Sequence, residues 1–295
     1  MELSRFRGTG VALVTPFKED GSVDYELLAR HVESQIDGGV EFLVPCGTTG
    51  EGATMTSEEQ GRVIARTVEV AGGRVAVMAG AGTNDTRDAV GLARGAAKAG
   101  ADAILSVSPY YNKPTPAGLL AHYRALAEAA ELPIFVYNVP GRTASNVTAE
   151  TLLRLAEIEN VVGVKEASGN VEQVMTVIRS RPTDFLVLSG DDALTLPIVA
   201  AGGDGVISVA ANEAPRLMSD MVRAALAGDF ETARDFHYRL LPLMQANFVE
   251  TNPIPVKTAL ELMGRMPANF RLPLVSLSPE HTTTLRTALE QAGVL

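Results

Sequence analysis

The stretch Val161-Val162-Gly163-Val164-Lys165-Glu166 is an apolar run of the kind that forms a buried strand, and near its end stands a lysine. An ammonium taken out of water without a partner costs several kcal/mol or gives up its proton. Lys165 is therefore either ion-paired or held partly neutral as an amine nucleophile. Glu166 is the nearest candidate partner, but adjacent residues of a strand face opposite ways. The other four lysines, Lys18, Lys98, Lys113 and Lys257, fall in predicted loops or helices. Near neutral pH a free lysine is neutral on the order of 0.1% of the time, and a depression of about three pKa units in an apolar interior multiplies that roughly a thousandfold.

Placing such a lysine requires a scaffold, and the chain supplies a regular one. Short Val- and Ile-rich runs alternate with helical patterns eight times, from a strand at Gly8–Phe17 with its helix at 24–37 to a strand at Gly205–Ala211 with its helix at 214–227. That rhythm predicts a parallel sheet covered on both faces, and eight units in about 225 residues suit a closed (β/α)8 TIM barrel better than an open doubly wound sheet. After Gly228 only helical patterns remain, at 229–248, 256–264 and 279–292. The expected α/β architecture is thus a catalytic barrel over residues 1–227 and a small all-helical C-terminal domain over 228–295.

Chemistry in such a barrel sits at the C-terminal ends of the strands. The predicted strands end in Thr15-Pro16, Gly47-Thr48-Thr49-Gly50-Glu51, Gly80-Ala81-Gly82-Thr83-Asn84, Pro109-Tyr110-Tyr111-Asn112, Tyr137 to Arg142, Lys165, Ser189-Gly190-Asp191-Asp192 and Ile207-Ser208. None is a histidine; His31, His122, His237 and His281 all fall in helical patterns, so no metal site is expected. Asp191-Asp192 reads as an acidic pair that could bind a cation or, more simply, as helix N-caps. The sequence Gly80 to Asn84 lacks the last glycine of a dinucleotide fingerprint, so no cofactor is expected.

What remains suits amine catalysis. Tyr137, one strand over from Lys165, is either a proton carrier or a core tyrosine with a wet hydroxyl. Thr48-Thr49 is either a carboxylate cradle of hydroxyls and N–H groups or simply a tight turn. Arg142 suits a bidentate grip on a second carboxylate or a surface ion pair. Cys46 reads as a small buried residue and, as the single cysteine, fits a reducing compartment.

The net charge of −10 argues against nucleic-acid and anionic-membrane surfaces. With 46% hydrophobic and 20% charged residues the composition is that of a globular protein, and no stretch approaches eighteen apolar residues. A cytoplasmic location is expected.

Taken in order, GTTGE (47–51), PYYNKP (109–114), YNVPGRT (137–143), VKEASGN (164–170), SGDD (189–192) and GVISVAAN (205–212) resemble the dihydrodipicolinate synthase branch of the pyruvate-dependent class I aldolases, which also include N-acetylneuraminate lyase. The resemblance spans nearly the whole chain. It implies that Lys165 forms an imine with pyruvate and that the enamine attacks aspartate semialdehyde, giving cyclic 4-hydroxytetrahydrodipicolinate for diaminopimelate and lysine synthesis. It makes Tyr137 the proton donor and acceptor, with Thr48 and Tyr111 as its relay, the tyrosine reaching in from a second subunit of a homotetramer built as a dimer of dimers. It assigns pyruvate to Thr49, Gly190 and Ile207 and the semialdehyde carboxylate to Arg142. Asn84, Asp88 and Tyr110 match a regulatory lysine site. There the chain departs from the pattern: Gly52, Ser57 and Gln60 stand where lysine-sensitive relatives often carry a serine and two histidines.

Overall fold

The computed structural model describes residues 2–295. Eight parallel strands, β1 (Gly8–Ala12), β2 (Phe42–Val44), β3 (Ala76–Gly80), β4 (Ala103–Val107), β5 (Ile134–Asn138), β6 (Val161–Glu166), β7 (Leu186–Ser189) and β8 (Gly205–Ser208), lie in chain order. They close into a barrel because β8 returns to pair with β1, Gly8 standing opposite Gly205. Every residue of β1, β3, β5 and β6 is buried. Helices cover the outside while side chains fill the inside, which is why these strands read as continuous apolar runs rather than alternating ones.

The intervening helices begin where polar side chains accept their first free N–H groups. Asp24, Asp85, Thr115, Thr148 and Asn170 each cap a helix in this way, and Thr56 with Glu59 forms a reciprocal capping box before the helix Ser57–Ala71.

The barrel is plugged at its N-terminal end. A single 3-10 turn, Leu3–Phe6, was not expected from the sequence. It sends Phe6 into the interior, edge-on to Phe42 at 5.7 Å and to Phe135 at 5.4 Å between ring centroids. Both partner rings lie where the neighbouring strand offers no side chain, Gly10 beside Phe42 and Gly163 beside Phe135. Above them the interior apolar cluster continues through Leu105, Leu188, Ile207 and Tyr137.

Several expected strands are longer than the observed ones. The run Gly8–Phe17 leaves the ladder after Ala12: Leu13 N–H still reaches the Val44 carbonyl, Val14 N–H turns to the Asn212 side chain, and Phe17 bridges Val23 instead. Leu13, Val14 and Phe17 remain buried. Apolar composition reports burial, and burial continues past the last strand pairing. Conversely, the four-residue helix Pro140–Thr143, opened by a proline at its first position, stands where only a strand end was expected.

The C-terminal helices are Phe230–Ala246, Ile254–Leu262 and Pro279–Ala292. Leu240, Leu243, Leu285 and Leu289 join one apolar cluster with Val11 and Leu13 of the first barrel segment.

Gly163 generates a sharp expectation. A Cβ there would lie 2.5 Å from a Phe135 ring carbon and 2.8 Å from the Leu186 carbonyl oxygen. Overpacking of this kind costs about 1–3 kcal/mol, so Gly163→Ala lowers the midpoint of urea unfolding; an unchanged midpoint contradicts the packing described here.

Candidate active site

Pairing of β5 with β6 sets Tyr137 directly opposite Lys165. The Lys165 ammonium lies 4.3 Å from the centroid of the Tyr137 ring, and the residue is only 6% exposed. Burial lowers its pKa to about 8, against a raising pull from Asp192 and with a further lowering push from Arg142. Glu166 faces the other way, as alternation demands. Its carboxylate accepts from the Asn138 side chain at 3.1 and 3.2 Å and from the Ser168 N–H at 2.7 Å.

The Tyr137 phenol is raised above its ordinary value by burial, while the Arg142 guanidinium and the Thr48 side chain pull it down. Thr48 and Thr49 sit on the turn after β2, whose return is tied by Glu51 N–H to the Thr48 carbonyl and by Gly52 N–H to the Gly47 carbonyl. Among the described residues, the N–H groups of Thr48 and Thr49 meet no acceptor. Two unspent donors beside a hydroxyl form an anion cradle. The buried Thr49 hydroxyl accepts from Asn252 Nδ2 at 2.9 Å, and the Arg142 guanidinium donates to the Asn252 carbonyl at 3.1 Å.

Gly190 follows β7 and presses against the lysine itself: a Cβ there would meet Lys165 Cγ at 3.1 Å and Ala167 Cβ at 2.7 Å. Ile207 of β8 is buried in the same interior cluster as Tyr137. Asp191 does cap a short turn, accepting from Ala193 N–H, whereas the Asp192 carboxylate reaches across to the N–H groups of Val209 and Ala210 at 3.0 and 2.9 Å. Burial raises the Asp192 pKa.

A cavity of about 800 Å³ adjoins these groups, and its lining includes Thr48, Tyr137, Arg142, Asn252, Asp88 and Tyr110. Lys165 is not one of its wall residues; its neighbour Tyr137 is. Gly52, Ser57 and Gln60 line the same cavity, with Gln60 Nε2 donating to the Gly52 carbonyl at 2.9 Å. Asn84 does not line it and instead offers its carbonyl to the Asn112 side chain. Tyr111 is the one expected catalytic residue that the single chain does not bring to Lys165. It stands 88% exposed on a left-handed backbone, φ +70°.

A second buried lysine escaped the sequence reading, which placed Lys257 in a helix and no further. Lys257 is fully buried, and its ammonium is 2.7 Å from Glu51 and 3.1 Å from the Thr15 carbonyl, with the Asn269 carbonyl as a third acceptor and the Phe17 ring centroid at 4.5 Å. Burial lowers its pKa, against a raising pull from Glu51. The contrast between the two lysines is chemical. Lys257 is surrounded by acceptors that hold its proton, whereas Lys165 has no hydrogen-bond acceptor among the described residues. Of these two, Lys165 is the one whose lowered pKa no hydrogen-bonded acceptor opposes.

The family model of the dihydrodipicolinate synthetase family matches residues 5–292. The chain belongs to that family. A 4-hydroxy-tetrahydrodipicolinate synthase of Koribacter versatilis (strain Ellin345) is 56% identical over 292 residues, 99% of this chain and 97% of that protein. The crystal structure of dihydrodipicolinate synthase from Aquifex aeolicus is 47% identical, with a TM-score of 0.95 over 98% of this chain and 99% of that one. A family member from Cyanidioschyzon merolae, solved with lysine bound, is 42% identical, with a TM-score of 0.96 over 99% of each chain. Among the described residues of this dihydrodipicolinate synthetase family member, no helix is long and apolar enough to cross a membrane.

The Glu51–Lys257 pair makes a strong stability prediction. Removing one partner leaves an uncompensated charge in the interior at about 3–5 kcal/mol, so Glu51→Ala shifts the unfolding midpoint far more than loss of an exposed pair such as Arg66–Glu69. Equal shifts in the two denaturation curves contradict this.

Proposed function

We propose that the chain is a 4-hydroxy-tetrahydrodipicolinate synthase that condenses pyruvate with L-aspartate 4-semialdehyde through an imine on Lys165. The observation that carries the reading is the acceptor-free lysine beneath the Tyr137 ring. With a pKa of about 8, about a tenth of the amine is neutral at pH 7, roughly two hundredfold more than for a free lysine.

In this reading the amine adds to the ketone carbon of pyruvate, and the carbinolamine loses water to give the imine. The Thr48–Thr49 N–H groups and the Thr49 hydroxyl hold the pyruvate carboxylate. Ile207 and Gly190 shape the floor, Gly190 because any side chain there displaces the lysine stem. Tyr137 takes and returns protons at the carbinolamine and at the methyl carbon, where their loss gives the enamine. The enamine carbon then attacks the aldehyde. The amino group of the second substrate finally displaces Lys165 from the imine carbon, closing the ring and freeing the enzyme.

Arg142, beside both Tyr137 and the cavity, grips the carboxylate of the aldehyde substrate. A second subunit's Tyr111, with Thr48, completes the proton relay; the exposure of Tyr111 supports at least a dimer, and the family resemblance makes it a homotetramer built as a dimer of dimers. Asn84, Asp88 and Tyr110 form the proposed regulatory lysine site, altered here by Gly52, Ser57 and Gln60. The cytoplasm is the proposed compartment. The rival reading within the same chemistry is condensation with a sugar-acid aldehyde.

Borohydride added with pyruvate is expected to raise the intact mass by one reduced pyruvyl group, located at Lys165 and absent in Lys165→Ala; an unlabelled wild type refutes the imine. The initial rate of labelling at limiting pyruvate rises with pH up to about 8 and then levels, because the lowered lysine pKa sets the neutral fraction. A rise continuing to pH 10 means an unperturbed lysine.

Arg142→Ala is expected to raise KM for aspartate semialdehyde roughly ten- to a hundredfold, with little change in pyruvate labelling. Equal loss of both steps removes Arg142 from the assigned role, and faster turnover of a sugar aldehyde than of the semialdehyde favours the rival.

A further inference from the structure

Thr49 and Arg142, the groups proposed for the carboxylates of the two substrates, meet at one residue. Asn252 is 4% exposed and precedes the helix Ile254–Leu262. Its side-chain amide donates to the Thr49 hydroxyl, and its main-chain carbonyl accepts from the Arg142 guanidinium. Asn252 comes from the C-terminal segment, 203 residues beyond Thr49.

A hydroxyl carries one proton and two lone pairs. Because Asn252 supplies an N–H to the Thr49 oxygen, the Thr49 proton has no reason to turn toward that amide nitrogen and stays available to another acceptor; Thr49 itself is buried beside the cavity wall residue Thr48. The rest of the turn is fixed independently: Thr15 Oγ1 donates to the Gly50 carbonyl at 2.7 Å, and Glu51 is held by Lys257. The turn is therefore rigid, and Asn252 decides the direction of its hydroxyl.

We propose that Asn252 is a positioning residue for the condensation, its side chain orienting the Thr49 proton toward the pyruvate carboxylate and its carbonyl aiming Arg142 at the second substrate. The inference rests on the function proposed above. Its two arms are separable, because a side-chain substitution removes the Thr49 contact and keeps the main-chain carbonyl.

The test is a double-mutant cycle in steady-state kinetics with both substrates varied. Asn252→Ala raises KM for pyruvate roughly tenfold, the size expected for a hydrogen bond to a charged group, and leaves KM for the aldehyde within about twofold. In a Thr49→Val background the same substitution moves KM for pyruvate less than about twofold, because there is no hydroxyl left to orient. Asn252→Asp, close in shape but able only to accept when ionised, turns the Thr49 proton away and raises KM for pyruvate further than Asn252→Ala does. That excess also vanishes in Thr49→Val, whereas plain charge repulsion would persist there.

Equal penalties with and without Thr49, or parallel rises in both KM values, overturn the proposal and mark Asn252 as a packing residue. Thermal melts of each variant identify those that remain folded, and Asn252→Asp keeps the cycle available where the alanine variant does not. Failure of wild-type enzyme to label with pyruvate and borohydride refutes the function itself, an outcome distinct from additive kinetics in an enzyme that labels.

Discussion

Desolvation of Lys165 is the constraint on which the site depends. Inside a closed parallel barrel little water reaches an ammonium and no strand edge lends it a carbonyl, so without a compensating side chain the charged form is disfavoured and the pKa falls. The β5–β6 register gives it the face of a tyrosine ring, and strand alternation sends the adjacent carboxylate outward to Asn138 and Ser168. The same chain shows the opposite solution at Lys257, where Glu51 and two carbonyls complete an ion pair. One buried lysine is paired and the other is not, and the difference lies in acceptors rather than in depth.

Much of this was legible because a barrel converts linear order into spatial order. Once eight strand-and-helix units are counted, consecutive strand ends become neighbours, and Lys165, Tyr137, Thr48, Thr49, Arg142, Gly190 and Ile207 fall around one rim without knowledge of any contact. The closed β1–β8 sheet matches that expectation. Family motifs carried the substrates, which no periodicity could supply.

What stayed hidden is what pairs across long separations or breaks the repeating unit. Glu51 and Lys257 are 206 residues apart, and Lys257 sits in a helix whose first seven residues are all buried, so no polar face marked it as special. Asn252 lies between two helical patterns just before Pro253, and nothing in the sequence marks it as part of a site. Phe6 lies ahead of the first strand, where a one-turn helix leaves no period to detect. Tyr111 is a different case: its motif was visible, but one chain alone leaves it in solvent.

The Phe6 plug has a consequence for traffic. With Phe6, Phe42 and Phe135 wedged together, the barrel interior is filled at its N-terminal end, which leaves the strand-end side as the approach to Lys165. Under the proposed chemistry the keto acid must descend to the bottom before the aldehyde settles above it, and the ring product must climb out before another keto acid enters. A stopper at one end of the molecule thus imposes an order of entry at the other, set by three phenyl rings that touch neither substrate.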